Sequence, residues 1–142
     1  MKIVHLATVL TVLTAAALAA GNITLYAGDV VFRGTYEWKR SKNTVTGPLK
    51  AVFTPDGKEK WKVVFKFTYQ KKPYTYTGTV TGSLNNGRIH GDVLNETKKR
   101  KFAFSAVIKN GKMTGKHKEI KKRGSKTREI NTGTMTLNLV KS

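Results

Sequence analysis

The sequence contains no cysteine. That excludes a disulfide framework, a lipid-modified N-terminal cysteine, Cys-ligated zinc and any thiol nucleophile. Acidic residues are scarce as well: 8 Asp and Glu stand against 27 Lys and Arg, a formal net charge of +19 in 142 residues. The partners such a chain attracts are those that bring negative charge. Histidine is limited to His5, His90 and His117. No P-loop, zinc-ligand spacing or nucleophile elbow is present. No window beyond the first twenty residues carries a helical period. The length bounds the chain to one ordinary domain, large enough to bury a core without covalent staples.

What is present begins with an export signal. Met1 and Lys2 form a minimal positive segment, and Ile3 to Leu18 is apolar apart from a few threonines and His5. Ala17-Leu18-Ala19 supplies small residues at the two positions a signal peptidase reads. The competing reading is an uncleaved anchor, but the apolar run is short for a span of ~20 residues. The pattern predicts a signal peptide over 1–19, cleaved after Ala19 or one residue later after Ala20. An N-terminal extension over 20–29 and a single domain over 30–142 follow. Cleavage removes only Lys2 from the charge balance. The expected location is periplasmic or secreted, with no membrane span left.

Beyond the leader, alternation and glycine dominate. Trp61, Val63, Phe65, Phe67 and Tyr69 fall on one face of a strand, and Lys60, Lys62, Val64, Lys66 and Thr68 on the other. The same period of two runs through Phe32 to Trp38, Leu49 to Phe53, Tyr74 to Leu84, Ile89 to Val93, Phe102 to Ile108, Met113 to Lys118 and Thr132 to Leu139. Thr54-Pro55-Asp56-Gly57, Asn85-Asn86-Gly87 and Asn110-Gly111 are turn chemistry. Gly34, Gly78, Gly115 and Gly133 recur in mid-strand, where glycine permits the bends that curl a sheet shut. The expected fold is all-β, an eight-stranded antiparallel up-and-down meander barrel, with a β-sandwich as the alternative. Arg33, Lys50, Lys62, Lys66, Lys101, Lys116 and Lys118 face outward in this scheme. Lysine on a lipid face costs ~2–4 kcal/mol near the midplane, so an outer-membrane barrel is excluded.

A meander sends its connections alternately to two ends. One rim collects Lys39, Arg40, Lys42, Lys71, Lys72, Lys98, Lys99, Arg100, Lys101, Lys121, Lys122, Arg123, Lys126 and Arg128, with Glu96 and Glu129 against them. The other has Lys58, Arg88, Lys109 and Lys112, offset by Asp56 and Glu59. Like charges crowded at one rim repel, and a bound polyanion relieves the repulsion. The expected partner is an anionic polymer or anionic envelope surface: nucleic acid, envelope phosphate or acidic polysaccharide. A merely solvated, solubilising rim is the plainer reading. Trp38, Tyr69 and Tyr74 stand near that rim. They are able to stack on bases or sugars, although Tyr69 and Tyr74 read better as the closing edge of the core.

The interior is the alternative site. A carrier of a small apolar ligand would use Tyr36, Phe65, Phe104 and Leu137, although small inward residues more often let neighbouring aromatics in. Catalysis has little to work with. His90 and Asp92 share an outward face without a nucleophile or third ligand, His117 points inward alone, and nothing brings Asp92 and Glu37 together as an acid/base pair. No enzyme, cofactor or metal is expected, and a monomer is. Asn22-Ile23-Thr24 and Asn95-Glu96-Thr97 fit the glycosylation pattern, which has meaning only in a eukaryotic secretory route.

The segments Phe32-Arg33-Gly34-Thr35-Tyr36-Glu37-Trp38, Thr46-Gly47-Pro48-Leu49 and Tyr76-Thr77-Gly78-Thr79-Val80-Thr81-Gly82 resemble a loose group of uncharacterised exported bacterial Gly/Thr-rich meander barrels. The architecture is also similar to avidin-like and lipocalin-like barrels. Avidins line a biotin site with several tryptophans, whereas this chain has Trp38 and Trp61; lipocalins open with Gly-x-Trp, where this chain has Gly34-Thr35-Tyr36. The resemblance implies a fold and export, and carries over no functional residue.

Overall fold

A computed structural model describes residues 28–97 and 99–140, with Lys122, Arg123 and Asn131 described by their backbone alone. The expected signal peptide over 1–19, most of the expected extension over 20–29, and Lys98 lie outside the described residues. Eight strands follow one another: β1 (Val30–Lys39), β2 (Thr44–Pro55), β3 (Lys60–Tyr69), β4 (Lys72–Gly82), β5 (Arg88–Asn95), β6 (Lys101–Lys109), β7 (Lys112–Arg123) and β8 (Lys126–Leu139). Each pairs antiparallel with the next, and β1 also pairs with β8, closing the barrel. The sandwich alternative is therefore excluded. Closure leaves the barrel wall without a free edge.

The period-two pattern sets the faces. Phe32, Tyr36 and Trp38 of β1 are buried, as are Leu49, Ala51 and Phe53 of β2, while Arg33, Thr35 and Lys39 are exposed. A slip of one residue would turn every aromatic outward, so the pattern fixes the register. The end near the outer termini of β1 and β8 is filled by Phe32, Phe53, Ile108 and Met113, and Leu84 from the β4–β5 connection is only 1% exposed there. Phe32 meets Phe53 edge-on at 5.8 Å, and Phe65 meets Phe104 edge-on at 5.0 Å. Burying each such ring stabilises the fold by roughly 1.5–3 kcal/mol.

Two kinds of turn close the hairpins. Asn110 and Gly111 have φ of 51° and 77°, the paired positive values that match the twist of the flanking strands. Gln70 and Lys71 adopt φ of 50° and 64° without glycine, at a cost of roughly 1–2 kcal/mol per residue.

β7 and β8 outrun their neighbours. β6 pairs with β7 no further than Lys101 with Ile120, and β1 pairs with β8 no further than Trp38 with Gly133. Beyond that level the two strands pair only with each other, through Lys121 with Arg128, Lys122 with Thr127 and Arg123 with Lys126. The register slips once, between Lys118 (opposite Thr132) and Glu119 (opposite Ile130). Such a bulge sharpens local twist. The result is a two-stranded ribbon projecting from one rim.

Candidate functional site

The meander places the β1–β2, β3–β4, β5–β6 and β7–β8 connections at the ribbon end. The β2–β3, β4–β5 and β6–β7 connections lie at the other end with the outer ends of β1 and β8. Lys39, Arg40, Lys42, Lys71, Lys72, Lys99, Arg100, Lys121, Lys126 and Arg128 all stand exposed at the ribbon end. Lys101 is half-buried there, and the backbone places Lys122 and Arg123 on the ribbon. Lys58, Arg88, Lys109 and Lys112 sit exposed at the opposite end.

Not all of the rim cations are free to meet an outside anion. Arg100 Nε donates to Glu119 Oε1 at 2.7 Å, and Glu119 is 2% exposed. Lys101 pairs with Asp92 at 3.0 Å, and Lys118 with Glu129 at 2.6 Å. Arg40 lies over Trp38 at 5.0 Å and over Tyr69 at 5.6 Å, and its Nη1 donates to the Tyr69 hydroxyl. Among the described residues, Lys39, Lys42, Lys71, Lys72, Lys99, Lys121, Lys126 and Arg128 form no ion pair.

Glu119 is the rim residue that the sequence reading missed. Its strand was expected to end at Lys118, but the inward parity of Met113, Gly115 and His117 continues through Glu119. A carboxylate on an inward face calls for a cation, and Arg100 from the facing connection supplies it.

Trp38, Tyr69 and Tyr74 serve the barrel before any ligand. Trp38 and Tyr69 meet at 5.4 Å, Tyr69 and Tyr74 at 6.4 Å, and Tyr74 stacks on Phe67 at 5.5 Å. They pack against the core from its upper edge. Beneath them lies a cavity of about 60 Å³, lined by Tyr36, Trp38, Leu49, Phe65, Phe67, Val93, Phe102, Phe104, His117 and Met135. Three of the proposed interior residues, Tyr36, Phe65 and Phe104, line it; Leu137 is fully buried in the packed lower half. The Tyr36 hydroxyl donates to the Thr68 carbonyl at 2.8 Å, and burial raises its pKa.

His117 sits at the same level as Trp38, with Gly133 of β8 opposite both. Among the described residues, neither Trp38 Nε1 nor His117 Nε2 finds a hydrogen-bond partner. Burial holds the imidazole below its ordinary value of 6.5, against the carbonyls of Glu37 and Thr134, which favour the charged ring. Asp92 is engaged by Lys101 and its neighbour His90 is exposed. Glu37 lies on β1, four strands from β5, so it and Asp92 face outward from opposite sides of the barrel. The geometry does not unite them as an acid/base pair.

Comparison of the chain with protein-family models, with curated proteins and with solved structures gave no match.

Proposed function

We propose that this chain is a non-enzymatic binding module for an anionic polymer, acting in the periplasm or outside the cell after its leader is cleaved. One observation carries the reading: four connections distant in sequence converge on one end, and Lys39, Lys42, Lys71, Lys72, Lys99, Lys121, Lys126 and Arg128 gather there without an ion pair among the described residues. Phosphate or sulfate groups laid across the rim would lower a repulsion the fold does not itself relieve. Such contacts give affinity without strict specificity, and binding weakens steeply with salt. The interior offers less. A cavity of about 60 Å³ falls far short of the ~300–1,000 Å³ typical of small-molecule pockets.

The test is retention of residues 20–142 on heparin and on DNA across a salt gradient, beside lysozyme as a basic control. Elution well above the control is expected. Charge reversal to Glu at Lys42, Lys71, Lys99, Lys121, Lys126 and Arg128 is expected to abolish the excess retention; reversal at Lys58, Arg88, Lys109 and Lys112 is expected to preserve it. Arg100 is left intact because it holds Glu119. Elution with lysozyme would reject the proposal, and equal losses from both sets would reject the rim.

A further inference from the structure

We infer that the β7–β8 ribbon is an arm that grips double-stranded DNA by entering its major groove. The inference rests on the rim being a polyanion site and names which polyanion.

The ribbon is built against its own stability. By register, positions 121, 123, 126 and 128 share one face, and all four are Lys or Arg. Lys121 stands opposite Arg128 and Arg123 opposite Lys126, so each cross-strand pair on that face joins two cations. Directly opposed residues lie ~5 Å apart, and like charges there are destabilising. Along a strand, residues two apart are separated by about 6.5–7 Å. By backbone register, the opposed positions and the neighbours along each strand are therefore spaced more closely than the ~8 Å Debye length of physiological salt. An isolated two-stranded hairpin is marginal even without such repulsion. No neighbouring strand compensates, since β6 and β1 both end their pairing below this level. The tip is open too: a Cβ at Gly124 would meet nothing within 4 Å.

Shape and flanks select the occupant. From Ile120/Glu129 to Arg123/Lys126 the ribbon extends about 10 Å beyond the barrel wall. The B-form major groove is ~12 Å wide and ~8.5 Å deep and admits a two-stranded β-ribbon. The closed order β6-β7-β8-β1 sets the β5–β6 connection, with Lys99, on one side of the ribbon and the β1–β2 connection, with Lys42, on the other. A groove has a phosphate wall on each side, which matches an arm with a basic loop on each flank. A single polysaccharide chain has no such pair of walls.

The experiment uses residues 20–142 and three probes: a 20-bp DNA duplex, one of its single strands, and heparin. Binding is followed by anisotropy between 50 and 200 mM salt. The variants are Lys121→Gln/Lys126→Gln/Arg128→Gln and, from the opposite end, Lys58→Gln/Lys109→Gln/Lys112→Gln. The expected result is a preference for duplex and protection of guanine N7 from methylation, both lost in the ribbon variant. Losing three phosphate contacts lowers the salt slope by about 2.7, or about 40-fold in affinity change across that salt range. The opposite-end variant is expected to match the wild type. If heparin and duplex bind alike and the ribbon variant keeps the wild-type slope, the arm is overturned while the rim reading stands. If the wild type binds no probe better than lysozyme does, the rim reading falls and the arm with it.

Discussion

Gly34 and Gly78 mark places where neighbouring strands approach too closely for any side chain. A Cβ on Gly34 would lie 1.9 Å from the Thr136 carbonyl oxygen, and one on Gly78 would lie 1.9 Å from that of Asp92. Both obstacles are backbone atoms, so no rotamer change removes them. Ordinary contact begins at 3.4 Å, and the strands would have to part by roughly 1.5 Å at these points. Overpacking of this kind costs ~1–3 kcal/mol. Losing one cross-strand hydrogen bond adds about 1 kcal/mol. The reduced freedom of the unfolded alanine chain returns about 0.4–1 kcal/mol. Gly34→Ala and Gly78→Ala should therefore each destabilise by about 1–3.5 kcal/mol, lowering Tm by roughly 4–14 °C in a domain of this size. Gly28→Ala is the control, because a Cβ there meets nothing within 4 Å; its change should stay within about 0.5 kcal/mol. Urea unfolding followed by tryptophan fluorescence reads all three. Midpoints for Gly34→Ala and Gly78→Ala that coincide with the wild type would refute the close-approach account.

The buried His117 predicts a pH dependence. Its native pKa is held below the ordinary 6.5, so its contribution is fully present above pH 6.5 and is lost as pH falls towards the native value. Unfolding free energies at pH 7.5 and 5 should therefore differ less in His117→Gln than in the wild type; an unchanged difference would sink the assignment. Arg100→Met strips the guanidinium from a carboxylate that is 2% exposed. Breaking a fully buried pair costs ~3–5 kcal/mol, but the Arg100 side chain is 45% exposed, so about 1–3 kcal/mol is expected. Glu119→Gln, which removes the charge but keeps the shape, should cost less. Urea midpoints decide both, and an unaltered Arg100→Met would mean that the pair contributes nothing.

The fold was legible because one face of nearly every strand is written in aromatic and aliphatic residues. Trp61 to Tyr69 and Tyr74 to Gly82 could be assigned from period two alone, although the same period overran to Leu84, which lies in the β4–β5 connection; Asn110-Gly111 announces its own turn. The Gln70-Lys71 turn carried no such signal, since neither residue prefers positive φ and the pairing of β3 with β4 imposes it. The two ends of the site were legible from topology: once eight strands are counted, the parity of the connections sorts the lysines. Which cations remain available was not legible. That depends on Glu119 lying inward and on Asp92 reaching Lys101, contacts that join residues on different strands. Continuing the parity of Met113, Gly115 and His117 by one more step would have found Glu119. The ribbon was hidden for a different reason. A strand that outlasts its neighbours looks like any other strand until the lengths of β6 and β1 are known.

The pairing of β1 with β8 also governs how the chain reaches its native state. Phe32 must find Leu139, and Trp38 must find Gly133, across nearly the whole domain. Every other pairing is between consecutive strands and can form locally. Closure is thus the most non-local step, and the entropy of that loop is lost before its contacts repay it. Until then β1 and β8 are open edges able to recruit another molecule. A chain lacking β8 would keep β1 and β7 as open edges for good, so shortening at that end should convert an intramolecular folding problem into an aggregation problem.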